Sequence, residues 1–234
     1  TALTNSRASG SYSFAAAIAN NTSSYGATGA NSVAIGHQSK ASSSYAVAIG
    51  GFSCTASNIG AVVLGYSSEA TNVTSVAIGA NASSKIRGKL AIGSGRFSST
   101  GDAQTGVFTL RSDTTDATPE ALTTNNGTAG TSNQIILPNN SAYAFHGTIV
   151  ARQQASAGTA SAAWKVEGLI RREGSAGTTV LVNSATTVLD NTPSWGLSLI
   201  GDTLYGGLNI LVIGAASTNI RWVATIHTSE VTYA

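Results

Sequence analysis

The chain has 234 residues, of which 9% are charged and 42% hydrophobic, and its formal net charge is +2. Ordinary soluble domains carry roughly 25% charged residues, so solubility here rests on the abundant Ser, Thr and Asn, while the normal apolar content argues against disorder. So small a surplus of base gives little support to nucleic-acid binding, and the apolar runs are too short to span a bilayer. The single Cys excludes an internal disulfide framework or a Cys-rich metal site, and His37, His146 and His227 show no ligand spacing. No nucleic-acid partner, membrane insertion, cofactor or metal is expected. No Met occurs, even at position 1, and the chain opens inside a repeat-like stretch, so it reads as the C-terminal part of a longer protein.

The first predicted elements are the rungs of a repeat. The words "VAIG", "VVLG" and "LAIG" place Gly36, Gly50, Gly65, Gly79 and Gly93 at steps of 14, 15, 14 and 14 residues. A degenerate earlier copy, "FAAAIAN", puts Ala19 at the anchor. A repeat of this length is too short for a helical unit and fits one coil of a β-solenoid, with two short strands and two tight turns. Along the second strand Ser39, Ser53, Ser68 and Ala82, then Ala41, Thr55, Ala70 and Ser84, are always small. Alternation turns them toward a tight interior. It turns Lys40, Cys54, Glu69 and Ser83 toward water, which predicts a surface thiol at Cys54. The first strand is apolar on both faces. Val33, Ile35, Val47, Ile49, Val62, Leu64, Val76, Ile78, Leu90 and Ile92 form one face, and Ala or Val the other. A strand apolar on both faces is buried on both, yet one coil has a single interior. These columns therefore predict a seam against other copies of the chain.

After Gly93 the repeat stops, and Asp and Arg become more frequent. The change falls near residues 94–101 and divides a β-roll stalk, 1–98, from a second domain, 99–234. Alternation predicts strands in "GVFTLR", "NQIILP", "AYAFHGTIVARQ", "AAWKVEGLIRRE", "TTVLVNSATTVLD", "WGLSLIGD", "GGLNILVIGA" and "NIRWVATIHTSEV". Stretches such as "ASAGTAS" and "EGSAGT" are turn signals between them. Without helical periodicity, this pattern predicts an antiparallel β-sandwich or jelly roll. In "WKVEGLIRR", Trp164, Val166, Gly168 and Ile170 share one face, with Lys165, Glu167 and Arg171 opposite.

A glycoside-cleaving site needs a pair of acids flanking a sugar. Asp113, Asp116 and Glu120 are close in sequence, but their Thr-rich surroundings account for them as turn and cap residues, and no G-x-S-x-G elbow occurs. Catalysis is therefore not expected. His146 and His227 sit in strand patterns and read as packed or interfacial. The candidate receptor site is Trp195 with Asp190, Asn191, Asp202 and Tyr205, because sugar faces stack on aromatic rings while Asp and Asn fix hydroxyls. A core Trp beside a turn is the competing reading.

"NSVAIGHQSKASSSYAVAIG" and "TSVAIGANASS" resemble the head repeats of YadA-like trimeric autotransporter adhesins, over roughly residues 8–98. The resemblance implies a left-handed parallel β-roll in a three-chain bundle. The 15-residue step and the degenerate first copies depart from the family's regularity. Those adhesins end in a coiled coil and an outer-membrane anchor, patterns not found in these residues, so their adhesin function is not carried over. "GDAQTGVFTLRSDTTDATPEAL", "AFHGTIVAR", "AAWKVEGLIRR" and "NIRWVATIHTSEV" resemble the C-terminal domains of bacteriophage tail fibres, over about residues 101–234. That resemblance implies a homotrimeric, extracellular virion fibre tip, joined to the remainder of the fibre at its N-terminal side. Such a tip attaches to a host-cell surface receptor, a glycan or a protein. The alternative is a purely structural spike, or a bacterial surface adhesin fragment, without a receptor site of its own. The expected architecture is thus all-β, a trimeric parallel β-roll followed by an antiparallel β-sandwich or jelly-roll head.

Overall fold

The computed structural model describes residues 8–16 and 24–233, and contacts divide the chain into two units, Thr1–Gly106 and Val107–Ala234. The anchor of the degenerate first copy, Ala19, lies outside the described residues.

The first unit is a β-solenoid. Its strands are β1 (Phe14–Ala16), β2 (Gly26–Ala27), β3 (Val33–His37), β4 (Lys40–Ala41), β5 (Val47–Phe52), β6 (Thr55–Ala56), β7 (Val62–Tyr66), β8 (Glu69–Ala70), β9 (Val76–Ala80), β10 (Ser83–Ser84) and β11 (Leu90–Ser94). The odd-numbered strands stack in one ladder and the even-numbered in another. Pairing is parallel and in step with the repeat, so that Val62, Leu64 and Gly65 face Val76, Ile78 and Gly79. Close approach explains the glycines. A Cβ on Gly36, Gly65 or Gly79 would lie 1.6, 1.9 or 2.1 Å from the carbonyl oxygen of Gly50, Gly79 or Gly93 in the next coil.

The interior is thin. Ala34, Ala48, Val63, Ala77 and Ala91 from the first ladder and Ala41, Ala56 and Ala70 from the second are fully buried. Three buried serines place their hydroxyls on nearby carbonyls: Ser32 Oγ donates to Gly29 O at 2.6 Å, Ser75 Oγ to Asn72 O at 2.7 Å and Ser84 Oγ to Lys89 O at 2.8 Å. The Val and Ile columns point outward, with Leu64, Ile78 and Ile92 exposed by 40%, 37% and 45%. A third outward column runs His37, Phe52, Tyr66, Ala80, Ser94 in register. Its rings stack, His37 on Phe52 at 5.3 Å and Phe52 on Tyr66 at 5.7 Å.

Cys54 is not the surface thiol that its spacing predicts. It is fully buried. The extra residue of the 15-residue step is absorbed as an irregularity between Gly50 and Phe52, and Thr55 pairs with Lys40 and Glu69. Cys54 thereby takes the inward place of Ser39 and Ser68, and Thr55 turns outward. The bonding is inherited with the place: Cys54 Sγ donates to Gly65 O at 3.2 Å, as Ser68 Oγ donates to Gly79 O at 3.0 Å. Burial pushes the thiol pKa up, partly offset by hydrogen bonds from the backbone at Ser68, Gly65 and Ser67. Ser83, expected to face water, is only 6% exposed, because Gln104 bonds its backbone on both sides and Gly101 lies against it.

Near the end of this unit the chain turns around a carboxylate. Asp102, 2% exposed, accepts the N–H groups of Phe97, Ser98 and Ser99 at 3.0, 2.7 and 2.7 Å. Burial alone would raise its pKa, but these donors and the Ser98 hydroxyl outweigh it and hold the carboxyl below its ordinary value of 3.8.

The second unit is antiparallel. The strand β12 (Ala103–Thr114) crosses into it, followed by β13 (Glu120–Ala121), β14 (Ile135–Ile136), β15 (Ser141–Gln153), β16 (Ser161–Arg172), β17 (Val180–Asp190), β18 (Gly196–Asp202), β19 (Gly207–Ile213) and β20 (Ile220–Thr232). Every strand predicted from alternation is present. One sheet runs β12-β20-β15-β16-β17, and a smaller one has β19 paired with β13, β14 and β18. The consecutive β15, β16 and β17 form a meander, not the double Greek key of a jelly roll. Trp164, Val166 and Ile170 are buried as their alternation predicts, with Phe108, Leu110, Phe145, Ile149 and Trp222, and with Leu208, Ile210 and Val212 of the smaller sheet. Phe145 lies opposite Gly168, where a Cβ would stand 2.7 Å from its ring, so the glycine makes room for the aromatic.

Two experiments test this account of the coil. Gly79→Ala, at φ +96° and against a backbone oxygen, should cost more than about 3 kcal/mol in urea unfolding. Thr74→Gly, at φ +53° between Gly60 and Gly88 in neighbouring coils, should stay within about 1 kcal/mol of the native chain, because relieved strain offsets added chain entropy. Asp102 has a depressed pKa, so its contribution is present above pH 3.8 and lost as pH falls below that value. Amide exchange at Ser98 and Ser99 should therefore accelerate selectively in acid, and Asp102→Asn should abolish that pH step.

Candidate functional site

Several strands of the second unit end together. Arg152 pairs with Ser161, Gln153 with Ile220, and Ala163 with Asp190, which gathers the β15–β16 hairpin turn, the start of β20 and the end of β17 at one end of the sheet. β12 reaches the same end, where Trp222 Nε1 donates to Thr114 Oγ1 at 2.9 Å. Between these termini lies a cleft of about 540 Å³, lined among others by Asp113, Thr114, Arg152, Gln154, Asn219 and Arg221. Its floor is rigid, since Thr114 and Ile220 are each 1% exposed. Its rim is cross-linked: Gln154 N donates to Asn219 O at 2.9 Å, and Asn219 Nδ2 to Gln154 Oε1 at 2.8 Å.

Charge concentrates here. Arg152 and Arg221 are direct cross-strand partners. Arg221 Nε contacts Asp113 Oδ1 at 3.0 Å, and Asn126 Nδ2 donates to Asp113 Oδ2 at 3.1 Å. A smaller cleft of about 250 Å³ adjoins this pair and adds Arg111 to its wall. The arrangement offers guanidinium and amide donors around a preformed hollow.

The five residues predicted as a receptor site are not brought together. Asp190, Asn191 and Trp195 precede β18, whereas Asp202 ends it and Tyr205 follows it, and a seven-residue strand spans roughly 20 Å at its usual rise. Trp195 is 5% exposed and packs at 5.7 Å against Trp222, which stacks on Trp164 at the same spacing. Its ring is a core ring with no face free for a sugar. Asn191 clasps the Trp195 backbone, accepting its N–H at 2.9 Å and donating to its carbonyl at 2.8 Å. Asp190 accepts from Thr192, and Asp202 from the N–H groups of Leu204 and Tyr205. These polar groups build turns.

The acids considered for glycoside cleavage are also engaged locally. Asp116 accepts the Thr118 N–H at 2.7 Å, which lowers its pKa, and Glu120 accepts from Ser112 Oγ at 2.9 Å. Asp113 lies in β12 and faces Arg221. His146 and His227 stack at 5.3 Å on the exposed face of β15 and β20. Among the described residues, no group of three or more His, Cys, Asp or Glu side chains is placed to hold a metal ion, and no helix is long and apolar enough to cross a membrane. Sequence reasoning missed Arg152, Arg221, Gln154 and Asn219. Their signal was two polar turns, "RQQASAGTAS" and "GAASTNIR", but their pairing depends on the register of strands far apart in the chain.

Two copies of the YadA head domain repeat are matched, at residues 27–53 and 56–82, so the first unit contains a YadA-head-like repeat region. No curated protein matches the chain. Among solved structures it is similar to the tailspike protein gp49 of Acinetobacter baumannii bacteriophage Fri1, a capsular polysaccharide depolymerase. That similarity has 9% identity and a TM-score of 0.29, over 93% of this chain and 50% of that one. The tailspike protein of Acinetobacter baumannii phage AM24 is similar at 7% identity and a TM-score of 0.26, over 94% of this chain and 47% of that one. The chain spans about half the length of both. Likeness this remote transfers no activity or site residue. It does correct the expectation that catalysis is excluded, because a protein this chain is similar to is itself a depolymerase.

Burial of Trp195 yields a prediction opposite to a surface sugar platform. Trp195→Ala should lower stability by about 3–5 kcal/mol, as loss of a buried aromatic does, read as a shift of the urea midpoint. An unchanged midpoint would show that the ring is not part of the core.

Proposed function

We propose that the chain is the part of a tailspike- or tail-fibre-like protein, on the outside of a virion, that attaches to a host-cell surface polysaccharide as a homotrimer. The first unit forms the shared stalk, and the second is a two-sheet head that holds the receptor site. The cleft at the ends of β12, β15 and β20 carries this reading. Binding groups concentrate on loops held by a rigid scaffold, and here turns converge on a fixed floor. The coils, by contrast, repeat small rungs that offer few distinctive groups.

Self-association is supported by what the single chain leaves uncovered. The outward Val and Ile columns have no cover within their own coil. In the second unit Val180, Val182, Val188 and Leu189 of β17 are exposed by 44–58%, and long apolar edge strands call for cover. Three copies also add avidity to a weak site.

Light scattering should give three times 23.4 kDa, and Val76→Asp or Ile78→Asp should abolish assembly, because an unpaired charge in a buried seam costs about 3–5 kcal/mol. A stable soluble monomer would refute the trimer. The full chain, added to bacterial cells with a panel of their purified surface polysaccharides, should bind one of them, and that polysaccharide should compete with the cells. Assay of new reducing ends in the same mixtures separates attachment from cleavage. Binding to no cell and no polysaccharide would remove the attachment reading.

A further inference from the structure

We infer that the cleft between β12, β15 and β20 takes an acidic saccharide, whose oxyanion is held between Arg152 and Arg221. This rests on the attachment reading and names the class of sugar. The two arginines are directly opposite on adjacent antiparallel strands, where Cβ atoms lie about 4.5–5.5 Å apart and like charges repel. The chain has 12 basic residues in 234, so a facing pair is not the by-product of a generally basic surface.

One local acid neutralises only half of it. Asp113 is shared between Arg221 and Asn126, and Arg152 makes no ion pair among the described residues, giving one Nη1 hydrogen bond to Ala160 O at 3.1 Å. Arg111 stands in the adjoining wall. Three guanidinium groups and one carboxylate thus line these two adjoining clefts. An oxyanion placed between Arg152 and Arg221 converts their repulsion into charge-assisted hydrogen bonds, for which the planar guanidinium fork matches carboxylate and phosphate oxygens alike.

The surroundings suit a sugar better than a free ion. About 540 Å³ falls within the usual size of a small-molecule site. Gln154, Asn219 and Gln153 line it with amide groups able to meet neutral hydroxyls. Gln153 Nε2 is fixed on Ala157 O at 3.2 Å, and the Gln154–Asn219 bonds lock the rim, so little ordering remains for binding to demand.

The test is calorimetric titration of the full chain with three oligosaccharides of matched length: an oligogalacturonate, a phosphomannan and a maltooligosaccharide. One or both acidic probes should bind, more weakly as salt is raised, and the neutral one should not. Which acidic probe binds tells carboxylate from phosphate recognition. Arg152→Gln and Arg221→Gln should each weaken that binding by at least about tenfold, or about 1.4 kcal/mol, while Arg152→Gln melts at or above the native temperature because a like-charge pair is relieved. Equal binding of the maltooligosaccharide, unchanged affinity in both variants, or a lowered melting temperature for Arg152→Gln would overturn the inference. Failure of all three probes would overturn it too, while adsorption of the native chain to cells would still decide the attachment reading separately.

Discussion

The first unit depends on how closely the backbones of successive coils approach at the glycine column. The carbonyl oxygen of one coil occupies the space that a side chain on the coil before it would need. That contact lets successive coils stack at ladder spacing, and the small buried side chains let the two ladders of each coil lie close together. An interior this narrow admits Ala and Ser, with single larger residues at Cys54 and Val63, and it cannot admit the Val and Ile columns as well. The larger apolar residues are driven to the outside, so the unit's stability is divided between a hydrogen-bonded ladder with a small interior and whatever covers its outer face. Serine suits that interior because its hydroxyl can donate to a carbonyl of its own turn, as at Ser32 and Ser75.

The second unit solves burial differently. Long antiparallel strands bring Trp164, Trp195 and Trp222 into one contiguous aromatic group, and a core of that size can carry loops without depending on them. Trp222 links core to cleft, since its ring stacks inward while its Nε1 donates to Thr114 in the cleft floor. Rigidity is thereby passed from packed side chains to the ends of β12 and β20, where Asp113 and Arg221 meet.

Much of this was legible in the sequence because alternation and a fixed repeat are local signals. The glycine steps located the coils from β3 to β11, and period-two patterning located the long strands of the second unit. The degenerate first copy, however, pairs two residues earlier than its anchor predicts, Phe14 with Val33 and Ala16 with Ile35. What failed was register. A 15-residue step shows that a residue has been inserted but not where. Placing it after Gly50 makes Cys54 equivalent to Ser39 and Ser68, and placing it later would have left the thiol outside. Trp195 looked like a surface ring because its neighbours are turn-forming polar residues, while the partner that buries it, Trp222, lies on another strand. Arg152 and Arg221 escaped notice for the same reason. Each is unremarkable alone, and only the pairing of β15 with β20 sets them face to face.

Register also limits what a repetitive outer face can specify. A column of identical Val and Ile rungs looks the same after a slide of one coil, about 4.8 Å, so by itself it cannot fix how a neighbouring chain aligns. The outer face of this unit is not uniform. Its third column is aromatic at His37, Phe52 and Tyr66 and small at Ala80 and Ser94, and the irregularity after Gly50 falls within the aromatic part. A slid neighbour would set bulky rungs against small ones and lose contact along the column. The departures from the repeat, which blur its sequence pattern, are therefore the features that can give its outer face a single alignment.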